Sequence, residues 1–159
     1  MIKKIFILLI PLFLCGFAQA QDKAGVETVF QTVGKQNGSI MIELAKDVLG
    51  ERTRITRYRS LIANTDSTTL AHVQQTLENE VENGYSLMES RNNGRLETRS
   101  YCRKNKEKGE NEYLLFSLKS GKLTLIYLRG KIPPDELEDE LDNLKNLFIK
   151  VNNKTIKLK

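Results

Sequence analysis

The feature that most constrains the fold is a pair of apolar segments, EYLLFSLK and KLTLIYLR, separated only by Ser120–Gly121. A two-residue turn of this kind joins adjacent antiparallel strands and thereby sets their register. The register places Leu118 opposite Leu123, Phe116 opposite Leu125 and Glu112 opposite Arg129. Both faces of this hairpin are apolar in the middle, which is typical of strands that are covered on both sides. The sequence therefore predicts a central antiparallel hairpin.

Apolar periodicity and turn residues predict the other elements around this hairpin. Helices are expected at about 23–36 (N-capped by Asp22), at 67–83, and from Pro133-Pro134-Asp135 to about Lys145 or a turn beyond. Their buried stripes are Val26, Val29, Phe30 and Val33; Leu70, Val73, Leu77 and Val81; and Leu137, Leu141, Leu144 and Phe148. Strands are expected at 39–44 and 54–62, with one helical turn at 45–49 between them. The second of these strands is predicted to place Tyr58 and Ile62 on one side and Ile55 and Leu61 on the other.

The segment SRNNGRLETRSYCRKNKEKG predicts a further hairpin with Asn93-Gly94 as a two-residue turn. Its register would pair Arg91 with Leu96, Glu89 with Thr98, Leu87 with Ser100 and Tyr85 with Cys102. Cys102 would then point inward on the face of Tyr85, Leu87 and Leu96, while Arg95, Arg99 and Arg103 would point outward. Together these elements predict a single α+β domain with a largely antiparallel sheet of about six strands and three packed helices, in the order α-β-β-α-β-β-β-β-α.

Residues 1–20 have the pattern of a secretory signal peptide, with two lysines, an apolar run and Ala18-Gln19-Ala20 before the expected cleavage site. Lipid attachment at Cys15 is not expected, because Leu14 stands where lipoprotein signals carry a small residue. Cleavage after Ala20 would leave an exported chain of 139 residues with net charge +3 and no further apolar run long enough to span a membrane. We expect one domain over residues 21–151 and a basic tail over 152–159, which could add an edge strand.

The residue inventory predicts a protein that is not an enzyme and has no metal or cofactor. After cleavage one cysteine, Cys102, and one histidine, His72, remain, without the spacing of a metal site or a nucleophile–base pair. Cys102 is interpreted as a core thiol, with redox or intermolecular pairing and catalysis as alternatives. The acids of PPDELEDELDNL occupy the polar positions of a helix, where capping and the helix dipole explain them as a solvated face.

Arginine is concentrated in two segments that neighbouring strands could bring together. The candidate anion-binding residues are Arg57, Arg59, Arg95, Arg99 and Arg103. A cluster of guanidinium groups binds phosphate or carboxylate groups in a bidentate manner, although a sheet face kept soluble by its charge has the same composition. Export argues against nucleic acid as the partner. The expected partner is therefore an anionic envelope lipid or glycan, or another envelope protein, and an assembly subunit is the alternative; oligomeric state is left open.

Three segments carry a resemblance to a known kind of protein: SIMIELAKDVLG, LAHVQQTLENEVENGYSLMES and NEYLLFSLKSGKLTLIYLRGKIPPDELEDEL. In apolar spacing and element order they resemble small exported proteins of Gram-negative gut anaerobes that belong to domain-of-unknown-function families. The resemblance implies an exported α+β domain with no assigned activity, and it carries no functional residues over. Asp66-Ser67-Thr68 resembles an O-glycosylation signal of exported proteins in some gut anaerobes, but a plain helix cap explains it equally.

Overall fold

The computed structural model describes the backbone of residues 25–151 and the side chains of residues 25–145. The helices are α1 (Gly25–Thr32, continued by a 3₁₀ turn Val33–Lys35), α2 (Lys46–Leu49), α3 (Ser67–Glu82) and α4 (Leu137–Val151, preceded by a 3₁₀ turn Pro134–Glu136). The strands are β1 (Ile40–Ala45), β2 (Ile55–Asn64), β3 (Ser86–Asn92), β4 (Leu96–Asn105), β5 (Glu110–Lys119) and β6 (Lys122–Gly130). A single α+β domain is confirmed. The expected signal peptide, the Asp22 cap and the tail over 152–159 lie outside the described residues.

The six strands form one open sheet in the order β1-β2-β6-β5-β4-β3, and every neighbouring pair is antiparallel. The predicted central hairpin is confirmed with its register, including Phe116 opposite Leu125 and Glu112 opposite Arg129. Ser120 and Gly121 both have positive φ, 50° and 73°. A two-residue turn of that geometry matches the twist of the flanking strands.

Helices cover both faces of the central strands, which explains why those strands are apolar on both sides. On what we call the front face, α1 and α3 bury Leu61, Leu114, Phe116 and Leu125 beneath Val29, Phe30, Val73 and Leu77. On the back face, α4 packs Leu137 and Leu144 against Ile55, Tyr113, Leu128 and Ile132. The buried residues alternate along β5, with Tyr113 on the back and Leu114 on the front, as the pleat of a strand requires.

A bulge near the start of β2 corrects one prediction. Ile55 and Leu61 do not share a face, because the register shifts between Ile55 and Arg57. Ile55 consequently packs with Tyr58 in the back cluster, whereas Leu61 belongs to the front cluster. The extra residue is Thr56, whose hydroxyl donates to the carbonyl of Arg129 at 3.1 Å. One unpaired residue in a strand places the side chains before it on the opposite face of the sheet.

The register predicted for the β3–β4 hairpin is wrong by two positions near the turn. Arg91 lies opposite Thr98 and Glu89 opposite Ser100. The reason is side-chain chemistry: Oδ1 of Asn93 accepts from the backbone N–H of both Arg95 and Leu96, which moves the tip to Gly94–Arg95. Asparagine side chains form such local bonds readily in turns.

A second shift, between Leu87 and Glu89, changes which side chains share a face. Tyr85 packs with Tyr101 in the front cluster, so it does not share the face of Cys102, which lies against the back cluster. The sequence predicts that the face of β4 that carries Arg99 and Arg103 points outward. In the structure this face is the front face, beneath the helices. The side chains of Arg99 and Arg103 are 25% and 36% exposed, and Arg95 is exposed in the turn.

Two helices also depart from their predicted stripes. On α3, Val81 is exposed and Glu80 is buried in its place. On α4, Glu140 is only 3% exposed, so the prediction of a fully solvated acidic face is wrong at that residue. The stripe residue Phe148 lies beyond the described side chains. Over the described part of the chain, no helix has the length and apolar character needed to cross a bilayer.

Candidate functional site

A polar cavity of about 230 Å³ lies on the front face, between the first residues of α1, the last turn of α3 and the sheet. Register explains why charged side chains meet there. Arg57 of β2 is opposite Arg129 of β6, which is opposite Glu112 of β5, which is opposite Arg103 of β4. The charged and phenolic residues that line the cavity are Arg57, Arg59, Arg103, Glu27, Glu80, Glu112, Tyr85 and Tyr127. The cavity therefore combines three guanidinium groups with three carboxylates.

Arg59 is held firmly within the fold. Its side chain is 7% exposed, and its guanidinium carbon lies 4.4 Å from the centroid of the Phe30 ring. It donates to Glu27 on α1, and its Nε lies 3.4 Å from an oxygen of Glu43 on β1. A guanidinium group that is stacked on a ring and paired with two carboxylates is fixed in place. Arg59 therefore contributes positive charge to the cavity more than a free hydrogen-bond donor.

Arg103 belongs to a second network. It stacks over the Tyr85 ring at 4.4 Å, donates to Glu112 through both Nε and a terminal nitrogen, and donates to the carbonyl of Asn83 at 3.2 Å. The Tyr85 hydroxyl also donates to Glu112, at 3.1 Å. Burial opposes ionisation of Glu112, but these donors outweigh it and hold its pKa below the ordinary value. The Arg103–Glu112 pair is thus ionised at neutral pH and internally satisfied.

Arg57 and Tyr127 are the partly exposed groups of the lining with hydrogen-bonding capacity to spare, since the Nε of Arg59, which also has no hydrogen-bond partner, is buried. Arg57 is 42% exposed and has one ion pair, from a terminal nitrogen to Glu43 at 2.9 Å. Its Nε and its other terminal nitrogen bond to nothing among the described residues. The Tyr127 hydroxyl likewise has no hydrogen-bond partner there. Burial, followed by the charge of Glu112, raises the pKa of Tyr127, so the phenol is neutral and able to donate.

Glu80 is a buried carboxylate at the other side of the cavity. It is 6% exposed, and its Oε1 accepts from the backbone N–H of Val26 at 2.8 Å, which caps the first turn of α1. A β-carbon on Gly25 would lie 1.7 Å from Oε1, so glycine leaves the room that this cap needs. No cation of the described chain lies within salt-bridge distance of Glu80.

The structure brings three of the five sequence-predicted arginines to the cavity and leaves two elsewhere. Arg57, Arg59 and Arg103 line it. Arg95 is exposed in the β3–β4 turn, and Arg99 is paired with Glu97 at 2.7 Å, opposite Phe116. Sequence reasoning missed the acids and phenols of the site. The sequence does contain a signal for the burial of Glu80. Val73, Leu77 and Glu80 have the i, i+4, i+7 spacing of one helix face, and a carboxylate in an apolar stripe is unusual.

The other residues considered from the sequence lie away from the cavity. Cys102 is half-buried on the back face, and burial raises the pKa of its thiol despite the nearby Tyr113 hydroxyl and Lys104. His72 is exposed on α3, and the described side chains include no cluster of three metal-ligating residues. Asp66 caps α3 by accepting from the N–H of Thr69 at 2.7 Å, with Ser67 and Thr68 exposed beside it.

A second groove of about 230 Å³ lies on the back face across β4, β5 and β6. Thr98, Ser117 and Thr124 are cross-strand neighbours there, with Leu115 and Ile126 half-buried beside them. Its lining includes two charged residues, Glu89 and Arg99, against six in the front cavity, which therefore remains the better candidate site.

A family model described as a family of unknown function matches residues 13–141, which is most of the chain. No curated protein matches the chain.

Proposed function

Since the chain belongs to this family, DUF6108, whose function is unknown, we propose that it is an exported, non-enzymatic binding protein whose front cavity holds an anionic group. The single observation that carries the proposal is the convergence of Arg57, Arg59 and Arg103 on one cavity in which Arg57 keeps unused donors. Guanidinium and phenol donors that are already in place bind a carboxylate or phosphate group without reorganising the site.

The size of the cavity limits what it can hold. A volume of about 230 Å³ is equivalent to roughly seven or eight waters at ≈ 30 Å³ each, below the ≈ 300–1,000 Å³ of pockets for drug-sized ligands. One acidic sugar, one lipid head group or one acidic side chain of a partner would fit, whereas an acyl chain would not. The proposed partners therefore remain an anionic envelope lipid or glycan, or another envelope protein, recognised by one charged group.

The lining favours binding over nucleophilic catalysis. Within its described part the cavity contains no serine, threonine, cysteine, lysine or histidine. Cys102 lies on the opposite face of the sheet, and its raised pKa reduces the thiolate fraction at neutral pH. The predicted signal peptide over residues 1–20 supports export and hence an envelope ligand.

The proposal is tested by titrating the mature chain, residues 21–159, with acetate, inorganic phosphate and glucuronate, using chemical-shift perturbation of backbone amides. We expect saturable shifts around the cavity that weaken at high salt. Arg57→Gln should weaken binding at least tenfold. The matched control is Arg95→Gln, which removes an equally charged side chain outside the cavity.

Two results would overturn the proposal. One is the absence of saturable shifts at the cavity with any of the three anions. The other is an equal effect of Arg57→Gln and Arg95→Gln, which would indicate diffuse attraction by the whole surface. Arg57→Gln should fold normally, because its exposed pair with Glu43 contributes about 1 kcal/mol or less.

A further inference from the structure

The balance of charges in the cavity suits a ligand that carries both charges better than a bare anion. Its three guanidinium groups face three carboxylates, Glu27, Glu80 and Glu112. Arg59 and Arg103 are also already paired, and Glu43 outside the lining engages both Arg57 and Arg59. A ligand with only negative charge would bind the guanidinium donors but would also be repelled by these carboxylates. A ligand that carries both charges would be repelled less.

The unused hydrogen-bonding groups have opposite polarity. Arg57 and Tyr127 offer donors, whereas Glu80 offers an acceptor, since its Oε2 has no hydrogen-bond partner in the described chain. Carboxylates as buried as Glu80 are normally paired with a cation, because an unpaired charge loses its hydration without compensation. The N–H of Val26, the positive end of α1 and the more distant charge of Arg103 supply part of that compensation, but no cation of the described chain lies within salt-bridge distance of the carboxylate.

We propose that the cavity binds a small zwitterion, with its ammonium group on Glu80 and its carboxylate or phosphate group on Arg57 and Tyr127. This inference rests on the proposed function, because it assigns the ligand class of the same cavity. Two sources share the chemistry: a free amino acid and the phosphoethanolamine group of a lipid. Both fit a cavity of about 230 Å³.

The test uses probes that differ only in the amine. The mature chain is titrated with glycine, β-alanine, 4-aminobutyrate and 6-aminohexanoate, and in parallel with acetate, propionate, butyrate and hexanoate. Phosphoethanolamine against inorganic phosphate forms the second arm and distinguishes the two sources. We expect the best amino compound to bind at least tenfold more tightly than its amine-free counterpart. The preferred chain length should report the distance between Glu80 and the donors of Arg57 and Tyr127.

Substitutions at Glu80 and Arg57 test which residue binds each charged group of the ligand. Glu80→Gln keeps an amide oxygen to accept from Val26, so α1 remains capped, and thermal melting verifies the fold. We expect it to remove the preference for amines while changing the affinity for acetate or phosphate less than threefold. Arg57→Gln should weaken both kinds of probe. Glu82→Gln, on the same helix but outside the cavity lining, is the matched control and should change neither.

The outcomes separate the two proposals. If amine-free probes bind as tightly as amino probes and Glu80→Gln has no effect, the zwitterion inference is wrong while the anion site stands. If no probe gives saturable shifts at the cavity, both are wrong. Lys23→Gln tests whether the chain supplies its own ammonium group: a preference for zwitterions that emerges only in that variant would overturn the inference.

Discussion

Glu140 provides the sharpest stability test, because it fastens α4 to the start of β2. Its Oε1 accepts from the Thr53 hydroxyl and from the backbone N–H of Arg54, both at 2.7 Å. Its Oε2 accepts from Nε and a terminal nitrogen of Arg54 at 3.2 and 3.1 Å. Glu140→Ala removes the acceptor of all four bonds at once. The buried Thr53 hydroxyl still accepts from the N–H of Ile55 but no longer has an acceptor for its own proton.

The size of the effect follows from the exposure of each donor. Hydrogen bonds to charged groups contribute ≈ 1.5–3 kcal/mol each, and an unsatisfied buried donor costs about 1–3 kcal/mol. The Arg54 side chain is 43% exposed, so solvent screens its two bonds and we leave them out of the sum. We therefore expect Glu140→Ala to lower the free energy of unfolding by about 3 kcal/mol. Glu140→Gln, which keeps one acceptor oxygen, should lower it by about 2 kcal/mol.

The assay is urea unfolding followed by circular dichroism, with thermal melts as a second measure. A loss of about 3 kcal/mol corresponds to a fall in Tm of roughly 10 °C for a domain of this size. Glu138→Ala is the matched control, since Glu138 is an exposed acid in the first turn of the same helix. The reasoning is refuted if Glu140→Ala and Glu138→Ala agree within about 0.5 kcal/mol, the usual scatter for surface substitutions.

The remaining predictions concern backbone packing, acid stability and the thiol. Gly130→Ala should lower the free energy of unfolding by more than about 2 kcal/mol, because its β-carbon would lie 2.3 Å from the Arg54 carbonyl oxygen. In Gly34→Ala the tightest contact would be with the flexible Met41 sulfur at 3.1 Å, so this control should lower the free energy of unfolding by less than about 1 kcal/mol. Equal losses in the two variants would contradict the argument. The pKa of Glu112 is lowered in the folded state, so its contribution is complete above its ordinary pKa of about 4.5 and is lost as the pH falls through the lower folded value. Urea titrations from pH 7 to pH 3 should show this loss in the wild type and a flatter profile in Glu112→Gln; parallel profiles would exclude the pair as its cause. Cys102 should react with a disulfide reagent at least tenfold more slowly in the folded chain than in 6 M guanidinium chloride, and equal rates would place the thiol at the surface.

Much of the fold follows from local sequence because the determining contacts are local. The β5–β6 register depends on two adjacent turn residues, Ser120 and Gly121, and on the alternation beside them. The front-face helices follow from 3.6-residue stripes such as Val73 and Leu77. These features require no knowledge of what the element packs against, so periodicity and turn chemistry suffice.

The site depended on contacts that sequence reasoning did not reach. Bulges at Thr56 and Met88 each reverse a strand face, and Asn93 moved a turn through its own side chain. The sequence identified the three arginines of the cavity as candidate anion-binding residues, but it did not identify the acids that pair with them.

The sequence by itself determined an α+β domain with a central hairpin, most of its helix stripes and an excess of arginine on two strands. Only the tertiary structure decided that Glu80 and Glu140 are buried acceptors, because their partners Val26 and Arg54 lie 54 and 86 residues away along the chain. The physical reason is that burial of a charge depends on compensation from distant elements, whereas strand and helix periodicity depends on neighbours.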